Sequence, residues 1–341
     1  MASSLAATAS TLNVPKTISG ISDVATAFNL GAHWTAASPS SASDLDALAL
    51  PTNVIDRTAG WLMQNWNVSS SSLTNAGFVN DPFGNQSDDL VLSVSYPAGT
   101  RDGSQFFMTP MRSGSNVQSA ALQYDVAFDA GFDFVKGGKL PGLYGSQRGA
   151  ESVCSGGNHQ SSCFSARLMW RTKGAGEVYA YIPSYPGFVA NPVDVDCNDI
   201  YGISLSRGSF DFAAGGWTTI TQVIALNTPG YANGQLFLWA NNSLALAHTG
   251  IVFRTSESVT LSKIMFSTFF GGSEDSWNSK GGRSYFRNFE VFASQTPSNT
   301  SGPAVNATLS TSSSAQTVSP SSLSLIWISL LALFLSSFVV S

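Results

Sequence analysis

Between residues 61 and 293, apolar and polar positions alternate with period two in short runs bounded by Gly, Asn, Pro and Ser. Strands with one buried face produce this pattern. The clearest runs are residues 90–96 (LVLSVSY), 122–128 (LQYDVAF), 164–171 (FSARLMWR) and 178–182 (VYAYI). Residues 218–225, 235–239, 261–269 and 285–292 repeat the pattern, and only 42–50 (ASDLDALAL) carries a convincing helical period. Many short strands between turn signals, without a repeat of fixed length, predict an all-β antiparallel sandwich or jelly roll. One domain over residues 31–294 is the simplest division.

Both ends depart from this pattern. Residues 323–340 (LSLIWISLLALFLSSFVV) are uncharged and nearly long enough to span a bilayer. They have no Lys or Arg flank of the kind that orients a span. Ahead of them stand three small residues, Ser312, Ser313 and Ser314, then a polar spacer at 315–322. That order predicts a glycolipid (GPI) anchor signal with Ser312 as the attachment point and 323–341 as its tail. A transmembrane helix is the alternative. Residues 295–322, rich in Ser, Thr, Asn and Pro, read as a stalk. Sequons at Asn67, Asn85, Asn241, Asn299 and Asn306 fit a secretory route to the cell surface or the extracellular space. Residues 1–30 lack the basic and continuous apolar regions of a leader, so they read as an atypical or incomplete signal region.

Composition narrows the classes. Charged residues make up 11% of the 341, against about 25% in an ordinary soluble domain. With 16 Lys and Arg and a formal charge of −5 there is no basic patch for nucleic acid. The 22 Phe, 8 Trp and 9 Tyr argue for a packed core.

Chemistry needs polar groups converging on one sheet face. Alternation places Ser165, Arg167, Met169 and Arg171 on one side of residues 164–171, with Phe164, Ala166, Leu168 and Trp170 on the other. Residues 172–177 are short enough for a hairpin, which would set Tyr179 and Tyr181 across from the arginines. Arginine forks match carboxylates and aromatic rings stack on pyranoses, so this face suits an anionic sugar. A solvated outer face is the plainer reading of the same alternation. Lys136 and Lys139, in FDFVKGGKLPG, lie around a Gly pair and read as held on a Gly-rich turn beside an apolar strand. No phosphate-loop pattern is present. Cys154 and Cys163 bracket eight residues, a spacing open to a local disulfide, while zinc would need a second pair of ligands. Cys197 is left over, buried and free or otherwise paired.

The runs KGGKLPGLYG, Cys154…Cys163, FSARLMWR and GEVYAYIP, in this order, resemble the signature of polysaccharide lyase family 14, here in a fungal-type form. The family includes alginate and glucuronan lyases on a β-jelly roll. The resemblance implies β-elimination on a polyuronate, an acidic polysaccharide partner, a monomer, and no metal or organic cofactor. It implies that Lys139 neutralises or positions the substrate carboxylate, with Ser165 and Arg167 as active-site partners and Tyr179 and Tyr181 as the proton-transfer pair. Lys136 and Arg171 take supporting, substrate-binding places, and the Cys154–Cys163 bridge is similar to the family's. Cations beside a tyrosine would favour its phenolate and let it act as base.

Other chemistries find less support. Five Glu, at 151, 177, 257, 274 and 290, supply no paired-carboxylate strand motif for glycoside hydrolysis. His33, His159 and His248 occur without G-x-S-x-G. Asp194, Asp196, Asn198 and Asp199 lack the Gly and Glu of an EF-hand loop. The competing class is a non-catalytic carbohydrate-binding protein derived from the lyase fold.

Overall fold

The computed structural model describes residues 13–309 apart from 47, 49–55, 71–72, 85–89, 112–114, 151–152, 190–194 and 198–200. Its strands form two antiparallel sheets packed as a β-jelly roll. The eight-stranded sheet runs Ser243–Ile251, Gly234–Ala240, Trp217–Ala225, Ser119–Phe128, Arg283–Ser294, Leu90–Ser95 and Ala76–Asn80, with Ala32–Thr35 also on Arg283–Ser294. The seven-stranded sheet runs Ser104–Met108, Val259–Thr268, Gly137–Gln147, Cys163–Arg171, Gly176–Tyr181, Ile203–Leu205 and Val195–Asp196. Each of the eight alternating segments falls on one of these strands.

The core lies between the sheets. Phe164, Ala166, Leu168 and Trp170 face inward with Leu140, Leu143 and Phe266, against Leu122, Tyr124, Val126 and Phe128 of the other sheet. Each large apolar side chain so buried contributes about 1.5–3 kcal/mol. Because strand side chains alternate, the opposite face of Cys163–Arg171 is free to carry polar groups.

Residues 137–147, expected to begin in a Gly-rich turn, form a continuous strand instead. Four glycines and Pro141 disguise it, since both residue types weaken strand propensity. Close packing explains the glycines: a Cβ on Gly142 would stand 2.2 Å from the Ala166 carbonyl oxygen and 2.6 Å from the Arg167 Cα. A bulge at Pro141 moves the register from Leu140 opposite Leu168 to Gly142 opposite Arg167. Lys139 and Tyr144 are an odd number of residues apart, so without the bulge they would face opposite ways. The other sheet satisfies the disrupted backbone. The Tyr124 hydroxyl donates to the Pro141 carbonyl at 3.0 Å, and Gln222 accepts from Leu143 N–H at 2.9 Å while donating to the Ala166 carbonyl at 2.8 Å.

The ends of the described chain belong to the domain. Residues set apart above as a signal region include a helix, Ile21–Ala27, which packs Ile21, Val24 and Ala25 with Ile18 and Leu30 onto Ala121, Val223, Phe237 and Trp239. Residues 1–12 lie outside the described residues. The first part of the expected stalk is a strap: Ala232 and Val305 N–H donate to the Pro303 and Gly230 carbonyls, and Thr308 pairs reciprocally with Ser184. The helical run begins as expected at Ala42–Asp46. Helix Arg57–Asn65, capped by Asp56 accepting from Ala59 N–H at 3.1 Å, carried no clear periodic signal. Asn67, Asn241, Asn299 and Asn306 are all exposed. Asn85, Ser312 and the apolar tail lie outside the described residues, as do Asp194, Asn198 and Asp199. No group of metal-binding side chains occurs among the described residues.

Candidate active site

The face of the seven-stranded sheet turned away from the core carries a cleft of about 500 Å³, lined by Lys139, Arg167, Met169, Arg171, Tyr179 and Tyr181, with loop residues around them. The expected hairpin forms, with Ser165 opposite Tyr181 and Arg167 opposite Tyr179. Its turn uses Lys173 at φ 63° and Gly174 at φ 88°. Two adjacent strands and the bulged third thus bring five of the seven expected residues into one cleft.

Ser165 and Lys136 lie elsewhere. Ser165 is fully buried, and its hydroxyl donates to the Cys154 carbonyl at 2.7 Å, beneath the disulfide loop rather than in the cleft. Lys136 is exposed just before the strand, and its Nζ donates to Ser276 Oγ at 2.7 Å on the cleft rim. Cys154 and Cys163 form a disulfide. Cys197 stands outside that bridge and is exposed, which removes the buried alternative of the two left open for it.

Each cleft residue meets distinct electrostatics. Lys139 Nζ lies 3.0 Å from Met169 Sδ and 4.3 Å from the centre of the Tyr179 ring. Burial, with the Arg167 and Arg171 guanidiniums beside it, holds its ammonium well below the ordinary lysine range, and Glu177 offsets this only in part. Arg167 is 1% exposed. Its Nη1 donates to Ser267 Oγ at 3.0 Å, and burial pushes the guanidinium down to about 10.

The tyrosine hydroxyls are held by backbone. Tyr179 accepts from Gly202 N–H and Tyr181 from Gly157 N–H, each at 3.0 Å. The loop that supplies Gly157 is the one closed by the disulfide, and its His159 ring lies 4.9 Å from that of Tyr181. Adjacent cations were expected to favour a phenolate. For Tyr179 the opposite holds: burial first, then Tyr181, raises the phenol well above its ordinary value, outweighing Gly202 and Arg171.

Sequence reasoning missed Glu177, which reads as a lone acid on a short strand. It is fully buried, accepting from Arg171 Nε at 2.8 Å, Arg207 Nε at 2.7 Å and Ser204 Oγ at 2.6 Å. Arg207 also pairs with Asp196 at 3.2 Å. A buried carboxylate with three donors fixes both arginines in place. Register could have exposed it, since Glu177 faces Met169 on the polar side of the sheet. Trp277, at the opposite wall, had no local signal.

Comparisons with known proteins bear on the family and the fold. The model of the family Polysaccharide lyase 14 matches residues 84–289. The crystal structure of a marine alginate lyase from Aplysia kurodai is 31% identical and superposes with a TM-score of 0.63, over 76% of this chain and 98% of that one. An alginate lyase from Chlorella virus is 22% identical, with a TM-score of 0.54 over 71% of this chain and 100% of that one. An alginate lyase in complex with an alginate trisaccharide is 20% identical, with a TM-score of 0.52 over 69% and 92% of the two chains. A search of curated proteins finds no match to the chain.

Proposed function

The chain belongs to polysaccharide lyase family 14, and from that premise we propose that it cleaves a polyuronate such as alginate or glucuronan by β-elimination. One observation carries the reading: Lys139, Arg167, Arg171, Tyr179 and Tyr181 converge in a single cleft. The C5 hydrogen of a uronate is weakly acidic while its C6 carboxylate is ionised. Arg167, buried and without a carboxylate partner among the described residues, meets that carboxylate and stabilises the enolate-like charge as it develops. Arg171, aimed by Glu177, supports it.

The electrostatics of the cleft support one division of the proton transfers. Lys139, with its ammonium disfavoured, supplies a neutral amine as base, and Tyr179, with its phenol proton held, supplies the acid. Lys139 takes the C5 proton, and the C5–H electrons form the C4–C5 double bond. The C4–O bond breaks, and the departing oxygen takes its proton from Tyr179. Lys139 then returns a proton to Tyr179, whose ring it overlies. Tyr181, anchored by Gly157, orients the sugar beside Arg167. Water does not enter the bond, and the reaction calls for no metal or organic cofactor.

The test is the ultraviolet absorbance of the unsaturated uronate product. Absorbance rising with alginate or glucuronan, but not with neutral glucans, is the expected result. Binding without any rise would favour the non-catalytic carbohydrate-binding reading. For location, exposed sequons and the Ser312–tail order support a cell-surface protein held by a glycolipid anchor. Release from cells by a phosphatidylinositol-specific phospholipase checks this.

A further inference from the structure

At one end of the cleft, residues 269–277 form a wall facing the tyrosines. Its backbone is bonded to the strand that carries Lys139: Lys139 N–H donates to the Phe269 carbonyl at 2.8 Å, and Gly271 N–H to the Gly137 carbonyl at 2.9 Å. Trp277 closes this wall in the short helix Asp275–Trp277. Its ring lies against Gly272, which has φ 76° and where a Cβ would come within 2.3 Å of the ring. A residue with a side chain would be excluded there, so the glycine lets the indole lie on the backbone while the rest of the half-buried ring lines the cleft. A Cβ on Gly271 would touch both the Trp277 ring, at 3.6 Å, and Met169 Cε, at 3.7 Å. Trp277 and Met169, the group that contacts Lys139, therefore both lie beside Gly271.

Lys136 brings a cation to this wall, which itself carries Glu274 and Asp275. Its Nζ sits 5.7 Å from the centre of the Trp277 ring and is held there by Ser276 Oγ at 2.7 Å. Glu274 accepts from the same hydroxyl at 3.1 Å, and no carboxylate pairs directly with Lys136 among the described residues. An aromatic face beside a cation matches a pyranose ring bearing a carboxylate.

We propose that Trp277 is a stacking platform and Lys136 its carboxylate partner, together forming a subsite for the uronate next to the one that reacts. This rests on the polyuronate lyase reading and deepens it. Neither group touches the reacting bond, so both act on affinity rather than chemistry.

The experiment measures binding of defined alginate and glucuronan oligosaccharides by calorimetry to a Lys139→Ala background, so that turnover does not intervene. Trp277→Ala is expected to weaken binding of the longer oligomers about tenfold, as for a central aromatic anchor. Trp277→Phe should recover much of that loss. Lys136→Gln should weaken binding of uronates, with a smaller salt dependence remaining. Unchanged affinity in Trp277→Ala and Lys136→Gln, with native circular dichroism, overturns the subsite. The wild-type absorbance assay stands apart: no product there, with binding still lost in Trp277→Ala, sinks the lyase reading and leaves the platform.

Discussion

Lys139 holds its ammonium where charge is disfavoured, with two guanidiniums close by and a thioether as its hydrogen-bond acceptor. A base must be unprotonated, so kcat/KM should fall as pH drops below the lowered lysine value and level off above it. Measuring the pH profile checks the sign. Lys139→Ala should cost about 10²–10⁴ in rate, as for loss of a general base. Lys139→Arg separates the two roles, because arginine keeps the charge but cannot give up its proton. Nearly full loss in Lys139→Arg supports the base, whereas retained activity would return Lys139 to pairing with the carboxylate. The sequence pointed to this lysine through its scarcity and its motif. It could not show the burial that changes its chemistry, because Arg167 and Arg171 come to flank it, on either side of Met169, only after strands Gly137–Gln147 and Cys163–Arg171 have paired.

At the level of elements, the disulfide loop reaches the cleft. Cys154–Cys163 closes nine residues of sequence separation, and the loop delivers Gly157 N–H to Tyr181. A bridge over so short a loop contributes about 2–3 kcal/mol in the chain-entropy account. Reduction by dithiothreitol should lower both Tm and activity, with activity lost at temperatures where circular dichroism is still native. Unchanged turnover after complete reduction would mean that the loop does not position Tyr181. The strands 163–171 and 176–181 were readable in advance because one face is continuous core and the other polar. Gly137–Gln147 was not, because its glycines answer to Ala166, Phe164 and Trp170, residues brought near by pairing and invisible to a local window. Helix Ile21–Ala27 was hidden for the same reason: its apolar partners lie from about a hundred to more than two hundred positions away.

Across the whole molecule, the expected stalk proves to be partly structural. Through residue 309 it is tied to the loop that follows the hairpin of residues 163–181 and to residues 230–233. Ending the chain after Ser294 removes at least five hydrogen bonds, each worth about 0.5–1.5 kcal/mol before the ordering entropy is subtracted. A fall in Tm of about 3–8 °C is expected for a domain of this size, read by thermal denaturation. No fall would show the strap to be passive. The fold class was legible from alternation alone, but this boundary was not, since a polar Ser/Thr run gives no sign that its backbone is paired.

The arginines of the cleft are unequal. Arg171 and Arg207 already face a carboxylate, that of Glu177, whereas Arg167 donates to a serine, and its Nε has no hydrogen-bond partner among the described residues. A neutral glucan of matching shape would cover Arg167, strip away its water and offer no negative charge in return. Sites built around such a group reject the analogue that lacks its partner by about 10⁴-fold. Selectivity for acidic polymers at the reacting sugar would then come from one buried cation whose hydration only a carboxylate can replace, with Lys136 adding affinity at the neighbouring sugar.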